Sequence, residues 1–459
     1  MLTKSRTLIF SFFQGHQRTV RAKKNAIASL LIKGGSVLVG FMLVPITLNY
    51  LDQTRYGIWV TITSFLTWFT FFEIGLGSGL KNKLAEAVAK EDFELGRTYV
   101  STTYAILTLV ISIVSIGFFS ASNFIDWTKV FNTSDASLGP ELTQLAYIVF
   151  GFFFLRFVIK LISDVLLAHQ RSGLSNLFGP LGNFLSLPII YLLTKFTEGS
   201  LIYIGLTFSL VPVIVLAVAS IYLYSKDYKH IAPSIKYVKF QYAKELLNIG
   251  VKFFIIQASA LVIFQSANFI IIQFFGPEEV TSFDVAFKYF SIINMIFTII
   301  VLPYWPAFTE AWAKEELEWI RKTIRNLLKL WGGFVVMAIV MFLLSDVVFH
   351  YWIGEEKMKV VSISTTLKIL LIIYFLIFTF GGVFNMFING VGKVTLQTVS
   401  LLIGALLFVP CTYFFIRYLN WGIESVVLGS IIANFYSLII APIQYFKIIN
   451  NKAQGLWNR

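Results

Sequence analysis

The sequence is poor in the residue types on which metal sites, disulfide-rich domains and soluble surfaces depend. It has one cysteine, Cys411, and four histidines in 459 residues. A single cysteine excludes an internal disulfide, and the scattered histidines provide no metal-ligand set. Only 13% of the residues are charged, whereas soluble domains carry about 25%. These shortages exclude a disulfide-stapled secreted domain, a soluble enzyme and a nucleic-acid-binding module.

Apolar residues are present in excess, at 57% of the chain. They suffice for about a dozen membrane spans of about 20 residues each. The sequence therefore predicts an all-α polytopic membrane protein with twelve transmembrane helices. The approximate span centres are Leu38, Thr67, Ile111, Phe154, Leu185, Val213, Leu261, Phe290, Val336, Leu376, Leu407 and Ser437.

The basic residues predict the orientation of these spans. With the amino terminus inside, the cytoplasmic segments hold 25 Lys and Arg residues and the outward loops hold 6. Positive charge concentrates on the cytoplasmic side of membrane proteins. We therefore expect both termini in the cytoplasm, and the net charge of +13 indicates orientation rather than binding of nucleic acid.

An internal repeat organises the chain. Residues 86–97 and 310–321 are identical at seven of twelve positions, at an offset of 224. Each stretch follows the second span of its half, which predicts two six-span lobes of the same orientation. Such parallel repeats suit a transporter that rocks one lobe against the other, although a duplicated scaffold without transport is an alternative. The predicted parts are an amphipathic arm 1–25 on the lipid surface, a first lobe 26–224, a basic linker 225–244, a second lobe 245–447 and a tail 448–459.

The repeated stretches, Glu86–Arg97 and Glu310–Arg321, carry charges of both signs. We expect each to be an amphipathic helix on the membrane surface with i,i+4 pairs such as Glu86–Lys90. This elbow either couples spans during rocking or is a simple solvated helix.

Charged residues within the apolar stretches are the candidate site residues, because a charge at membrane depth normally faces a partner or a polar cavity. Glu73 could pair with Lys33, and Asp164 could pair with Lys160. The other cations lack an obvious anion, which predicts a cationic cavity and an anionic cargo. Lys252 and Lys288 could instead snorkel to the membrane surface. The six cations are Lys33, Arg156, Lys160, Lys252, Lys288 and Lys368.

Arg156 is the strongest of these candidates, because it lies near the middle of its predicted span. Arginine keeps its charge in almost any site and forks onto phosphate oxygens. Arg156, Lys160 and Asp164 are spaced at i, i+4 and i+8 and share one helix face. An alternative is that the three form an ion-paired seam between two spans.

Three short motifs resemble those of a known family. They are Tyr56-Gly57-Ile58-Trp59, then residues 72–80 (FEIGLGSGL) followed by the elbow 83–97, and the loop 390–393 (GVGK). The chain is similar to the polysaccharide and O-antigen flippases of the MOP exporter superfamily, whose members share the V-shaped two-lobe fold of the MATE drug exporters.

The resemblance implies a cargo of undecaprenyl-pyrophosphate-linked oligosaccharide, the bacterial cytoplasmic (inner) membrane as location, and polysaccharide polymerase machinery as a further partner. It implies coupling to an ion gradient, with H⁺ or Na⁺ as the possible ion, or to the membrane potential, and no other cofactor. The chain has no Walker-A run for ATP, and we expect a transporter rather than an enzyme. The alternative is a MATE-type drug antiporter. Drug-exporting relatives carry an acidic residue in the first span for H⁺ or Na⁺, whereas the first span of this chain has Lys33 and no carboxylate, which disfavours the antiporter.

Overall fold

The computed structural model describes residues 17–68, 76–133, 135–169, 171–244, 266–301, 304–358 and 361–458. Its longer helices, in chain order, are α1 (Gln17–Tyr50), α2 (Gln53–Trp68), α3 (Leu76–Ala89), α4 (Phe93–Ser122), α5 (Gly139–Ile159), α6 (Leu161–Ala168), α7 (Phe178–Phe196), α8 (Leu201–Ser225), α9 (Ser266–Phe275), α10 (Pro277–Val301), α11 (Tyr304–Ala313), α12 (Leu317–Ile353), α13 (Thr365–Gly390), α14 (Thr395–Tyr418), α15 (Glu424–Ala433) and α16 (Ala441–Ile449).

Apolar helices of membrane-spanning length dominate this list, and the described residues contain no β-strand. Among the described residues, eight helices are long and apolar enough to cross a membrane, and Glu424–Ala433 with Tyr436–Ile449 forms a ninth that bends by 43°. Eleven of the twelve predicted span centres lie in apolar helices, whereas Leu261 lies outside the described residues. The predicted all-α polytopic membrane fold is therefore confirmed.

Packing divides the helices into two compact units. The first contains α1 and α3 to α8, and the second contains α2, the short helix Trp127–Val130 and every helix from α9 onward. Helix α2 belongs to the first half of the sequence but packs in the second unit. A helix of the first predicted lobe thus packs with the helices of the second. The other predicted lobe boundaries stay predictions. Helix α1 begins at Gln17, within the predicted arm.

The repeat is visible in the helix boundaries. Helix α3 ends at Ala89 and α4 begins at Phe93, while α11 ends at Ala313 and α12 begins at Leu317. Both boundaries are separated by the same offset as the repeated sequence. The duplication predicted from the sequence is confirmed at the level of the backbone.

The turn between these helices differs from the predicted continuous helix. Glu91 and Glu315 have φ angles of 57° and 58°, in the left-handed region that ends many helices. The amide of the next residue bonds the carbonyl five residues before it, at 3.0 Å in the first turn and 2.9 Å in the second. The prediction of one helix through each elbow was wrong, because this turn interrupts it, and Lys90 and Glu94 are not an i,i+4 pair on a helix.

The predicted basic linker folds into a defined segment, residues 226–244, which we call the strap. It contains three short 3₁₀ turns, Lys229–Ile231, Ile235–Tyr237 and Phe240–Tyr242. The strap packs along the first turns of α4 within the first unit. The 3₁₀ turn Gly455–Asn458 likewise packs against α14 and α16 of the second unit. In each half, the chain after the last helix therefore folds back onto its own unit.

Candidate functional site

A buried polar cluster joins α2 to α10 in the second unit. We call it the Tyr56 cluster, and it consists of Tyr56, Asp284 and Lys288. The Tyr56 hydroxyl donates to Asp284 Oδ2 at 2.8 Å. Lys288 Nζ donates to the same oxygen at 2.7 Å and to the Tyr56 hydroxyl at 3.2 Å. Each of the three polar groups therefore contacts the other two, as a buried charge requires.

The cluster forms because the two helices approach each other closely. A Cβ atom added to Gly57 would lie 1.8 Å from the Pro277 carbonyl oxygen, so only glycine fits there. On the opposite side of the contact, the Thr281 hydroxyl donates to the Gln53 carbonyl at 2.7 Å. Gly57 and Thr281 are equivalent in the repeat, as are Gln53 and Pro277. The contact therefore has the two-fold self-complementarity of a symmetric dimer interface.

This contact gives a physical role to the Tyr-Gly-x-Trp motif. Tyr56 supplies the buried hydroxyl, Gly57 permits the close approach, and Trp59 is buried beside them. The motif positions a helix of the first half against the second half. It does not itself present a free polar group.

Two of the predicted cavity cations are ion-paired. Lys288 has Asp284 four residues earlier on the same helix, and buried Lys368 donates to Asp346 Oδ1 at 2.7 Å. The expectation that these two lysines lack an anion was wrong. The i,i+4 spacing in the sequence could have revealed the Asp284 pair. Their predicted contact with cargo stays a prediction.

Arg156 differs from these lysines. It is half-buried near the end of α5, within the membrane-spanning stretch Ala136–Ala168. Among the described residues it forms neither an ion pair nor a hydrogen bond through its side chain. Lys160 and Asp164, by contrast, each have an interaction partner. In the part of the chain that the structure describes, the Arg156 guanidinium therefore lies in an apolar span without a side-chain partner, and its predicted role in cargo binding stays a prediction.

Lys160 lies where α5 and α6 meet, so the three charged residues do not share one uninterrupted helix. Its backbone amide donates to the Arg156 carbonyl at 2.9 Å, and its own carbonyl accepts from Ser163 at 2.8 Å. Its side chain is exposed, with Nζ 6.0 Å from the centroid of the Phe157 ring.

Several predicted site residues lie outside the described part of the chain. Glu73 and Lys252 belong to segments that the structure does not describe. Lys33 lies in α1 and Glu310 in α11, but their side chains are not among those described. The predicted roles of these four residues stay predictions.

The two elbow arginines make matched contacts. Arg97 Nε donates to the Ala232 carbonyl at 2.9 Å, and Arg321 Nη2 donates to the Ile449 carbonyl at 3.2 Å. Each arginine lies near the start of the third span of its half. Its partner is just after the sixth span in the first half and at the end of the sixth span in the second half. Glu86 is exposed and pairs with Lys83 at 3.3 Å.

The basic residue between the fourth and fifth spans of each half makes a second matched contact. Arg171 pairs with Asp227 at 2.7 Å, and Lys393 Nζ donates to Asn458 Oδ1 at 2.6 Å. Both partners follow the sixth span of their own half. Sequence reasoning found these basic residues but not their partners.

Amide side chains of the second unit offer unused hydrogen-bonding atoms. Asn268 Nδ2 donates to Ser64 Oγ at 2.8 Å and so joins two helices. Its Oδ1 is buried, as are Asn385 Oδ1, Gln397 Oε1 and Asn434 Nδ2, and none of these atoms has a hydrogen-bond partner among the described residues. Unsatisfied buried polar atoms are costly and call for a water or a ligand.

Comparison with known proteins places this arrangement in context. The chain is 23% identical over 427 residues to a candidate O-antigen transporter of Salmonella typhi, covering 89% of this chain and 93% of the relative. It is 26% identical over 436 residues to a candidate O-antigen transporter of Salmonella typhimurium, covering 89% and 94%.

Among solved structures, the chain resembles an inward-facing multidrug resistance MATE transporter of the MOP superfamily. The TM-score is 0.75 at 14% sequence identity, and the match covers 93% of this chain and 98% of the other. This likeness shows that the fold is that of the MATE transporters. The family model described as polysaccharide biosynthesis protein matches residues 22–312, which is more than half of the sequence, and the chain belongs to that family.

Proposed function

We propose that the protein is a flippase for undecaprenyl-pyrophosphate-linked oligosaccharide repeat units in surface polysaccharide or O-antigen biosynthesis. The cargo moves from the cytoplasmic to the outer leaflet of the bacterial cytoplasmic membrane. The protein acts by alternating access as a transporter and not as an enzyme. The membership of the polysaccharide biosynthesis family over residues 22–312 carries this proposal.

The charge of the first unit supports an anionic cargo. Arg156 keeps its charge within an apolar span and has no partner among the described residues. A pyrophosphate offers oxygens in the geometry that a guanidinium binds with two parallel hydrogen bonds. A cationic drug would be repelled at the same position.

The amides of the second unit support a sugar cargo. Amide groups donate to and accept from hydroxyl groups, and five such side chains there have a buried atom without a partner among the described residues: Gln53, Asn268, Asn385, Gln397 and Asn434. Neutral amides bind neutral sugars without the desolvation cost of a charge. A lipid-linked oligosaccharide carries both chemistries, a charged head and a hydroxyl-rich chain.

The remaining features of the proposal come from the sequence. The basic segments put both termini in the cytoplasm, and, as the family resemblance implies, a gradient of H⁺ or Na⁺ or the membrane potential, rather than ATP, drives transport. The cargo reaches a polysaccharide polymerase after export. The likeness to MATE exporters concerns the fold and does not favour drug transport.

Deletion of the gene in its native host tests this function. We expect loss of one surface polysaccharide and accumulation of its lipid-linked repeat unit on the cytoplasmic side, both restored by the wild-type gene. Unchanged surface glycan with increased sensitivity to cationic dyes would overturn the proposal in favour of the antiporter. The Gly117→Ala variant is a suitable complementation control, because a Cβ atom there meets open space.

A further inference from the structure

The strap, residues 226–244, is held against α4 through its backbone. The Ala232 carbonyl accepts from Arg97 at 2.9 Å. The amides of Ser234 and Lys239 donate to Ser101 Oγ and to Thr102 Oγ1, both at 3.0 Å. These bonds hold the strap through its backbone atoms and do not use its side chains.

Two consecutive turns of the strap repeat one pattern. In the turns Ile235–Tyr237 and Phe240–Tyr242 the last residue is a tyrosine that faces α4. Tyr237 lies under the Arg97 guanidinium, 4.4 Å from ring centroid to Cζ, and Tyr242 packs edge-on against Tyr99 at 5.3 Å. The first residue of each turn points away, and Ile235 is 92% and Phe240 60% exposed. The strap therefore has an inner tyrosine face and an outer apolar face.

The outer face is also strongly basic. Five lysines and one acid lie in the strap, and the acid, Asp227, is already paired with Arg171. All five lysines are exposed. They are Lys226, Lys229, Lys236, Lys239 and Lys244.

The position of the strap along α4 places it at the membrane surface. Helix α4 has 30 residues and is about 45 Å long at about 1.5 Å per residue. The hydrocarbon core occupies about 20 residues of such a helix, so about 10 extend beyond it. The charged residues of α4, Glu94 and Arg97, both lie near its amino-terminal end, which indicates that the excess is at that end. The strap contacts residues 97–102 of α4, within the first ten. Lys226, 5.0 Å from the Tyr222 ring at the end of α8, forms the aromatic-basic pair typical of the headgroup layer.

We propose that the strap is a docking surface for anionic phospholipid in the leaflet that surrounds it. Ile235 and Phe240 insert between acyl chains, while Lys236, Lys239 and Lys244 contact headgroup phosphates. Apolar anchors beside several lysines are the combination that binds anionic bilayer surfaces. Because the strap is fixed to α4 and follows α8, lipid bound there would hold the third and sixth spans of the first unit together. This inference does not depend on the proposed cargo.

Depth measurements on the full-length protein in nanodiscs test the proposal. Cys411 is the only cysteine, so Cys411→Ser provides a background for single spin labels at Ile235→Cys and Phe240→Cys. In discs with equimolar phosphatidylglycerol and phosphatidylcholine, we expect both labels to collide with oxygen more than with a water-soluble nickel complex. A label at exposed Gln241 should show the reverse and serves as the matched control.

The lysines provide the second arm of this test. In phosphatidylcholine discs, the ratio of buried to exposed label should fall. In the anionic discs, replacement of Lys236, Lys239 and Lys244 by glutamine should lower the same ratio by about fivefold for each lysine replaced. The strap itself should persist, because Lys239 bonds α4 through its backbone amide. Labels that remain accessible to nickel in both lipid mixtures would overturn the proposal. Burial seen only in native membranes, and not in the anionic discs, would identify a protein partner and overturn it equally.

Discussion

Two lysines of the second unit and Arg156 of the first unit differ in how their intramembrane charge is held. In the second unit, Lys288 and Lys368 each have a carboxylate at 2.7 Å. In the first unit, Arg156 has no such partner among the described residues. A paired lysine is neutralised and contributes to structure, whereas an unpaired arginine costs stability and is therefore a candidate for ligand binding.

The difference indicates a division of labour in the proposed transport. Under the proposed function, we expect Arg156 of the first unit to bind the pyrophosphate and the amides of the second unit to bind the sugars, while the ion pairs of the second unit stabilise its fold. Replacement of Arg156 should therefore change transport, whereas replacement of a residue that closes the contacts of the second unit should change stability.

The largest expected effect is on transport by the first unit. Arg156→Ala should lower flipping of a fluorescent undecaprenyl-pyrophosphate oligosaccharide in proteoliposomes by about 10- to 100-fold, the value of a lost charged hydrogen-bond pair. Arg156→Lys should retain part of the activity, since a point charge replaces the fork. Protein abundance should stay unchanged. Normal transport by Arg156→Ala would show that the cargo does not need this charge, and loss of the protein would favour a structural seam.

The next effect concerns the helix contact in the second unit. Gly57→Ala would force a Cβ atom against the Pro277 carbonyl, and overpacking of this kind costs about 1–3 kcal/mol or more. We expect a lower midpoint of thermal unfolding in detergent. Gly117→Ala in α4 meets open space and should leave the midpoint unchanged or raise it. Equal midpoints for the two variants would contradict the observed approach of α2 to α10.

Removal of the shared acceptor tests the pairing itself. Asp284→Ala leaves the buried Tyr56 hydroxyl without its acceptor, at a cost of about 1–3 kcal/mol. Adding Tyr56→Phe should recover part of this stability, since the unsatisfied hydroxyl is then gone. A double-mutant cycle on unfolding midpoints measures the coupling. Strictly additive losses would mean that the two side chains do not interact.

A pH effect is expected in the first unit, at a histidine just after α6. Burial lowers the pKa of His169, the Val165 carbonyl opposes this through a 2.8 Å hydrogen bond, and His230 and Arg171 lower the pKa further. The His169 ring also packs 4.6 Å from that of Tyr228 in the strap. The unfolded histidine binds its proton at a pKa of about 6.5. The contribution of neutral His169 to the free energy of unfolding is therefore present above that pH and is lost as the pH falls towards the lower pKa of the folded state.

Hydrogen exchange of the strap, corrected for the intrinsic effect of pH, measures this loss. Protection should decrease between neutral and mildly acidic pH in the wild type. His169→Gln keeps a polar side chain that does not titrate and should remove the dependence. The same decrease in His169→Gln would assign the effect to another group.

The smallest effect tests what the two halves share. Glu91 and Glu315 occupy left-handed backbone positions, where glycine is favoured by roughly 1 kcal/mol. Either residue changed to glycine should raise the unfolding midpoint slightly. Glu94→Gly, within the first turn of α4, should lower it. A lower midpoint for Glu91→Gly would show that the glutamate side chain contributes more than the backbone strain costs.

Much of the fold could be predicted from local features of the sequence. Hydropathy places eleven span centres within helices because each span is a continuous apolar stretch, and the twelfth, Leu261, lies outside the described residues. The repeat follows from identical residues at a fixed offset. The elbow turn could not be predicted, because the residues at its left-handed positions are Glu91 and Glu315 rather than the glycine that usually marks such turns.

The candidate site was less accessible because its contacts are remote in sequence. Tyr56 meets Asp284 across 228 residues, and Arg97 meets the Ala232 carbonyl across 135. No pattern within one span encodes a partner in another. The prominence of Arg156 was predictable, since burial depth within a span can be estimated from the sequence, whereas the pairing of Lys368 with Asp346 required the packing of α12 against α13.

The placement of α2 in the second unit has a consequence for biogenesis. A ribosome adds about 5–20 residues per second, so the 228 residues between Tyr56 and Asp284 take about 10–45 s to synthesise. Through that interval the Tyr56 hydroxyl lacks its acceptor, Asp284, and Gly57 lacks the helix α10 that packs against it. The nascent second span must therefore wait in the insertion machinery, in lipid or beside a chaperone until the eighth span arrives, and slow translation of the intervening lobe would prolong its exposure to membrane proteases.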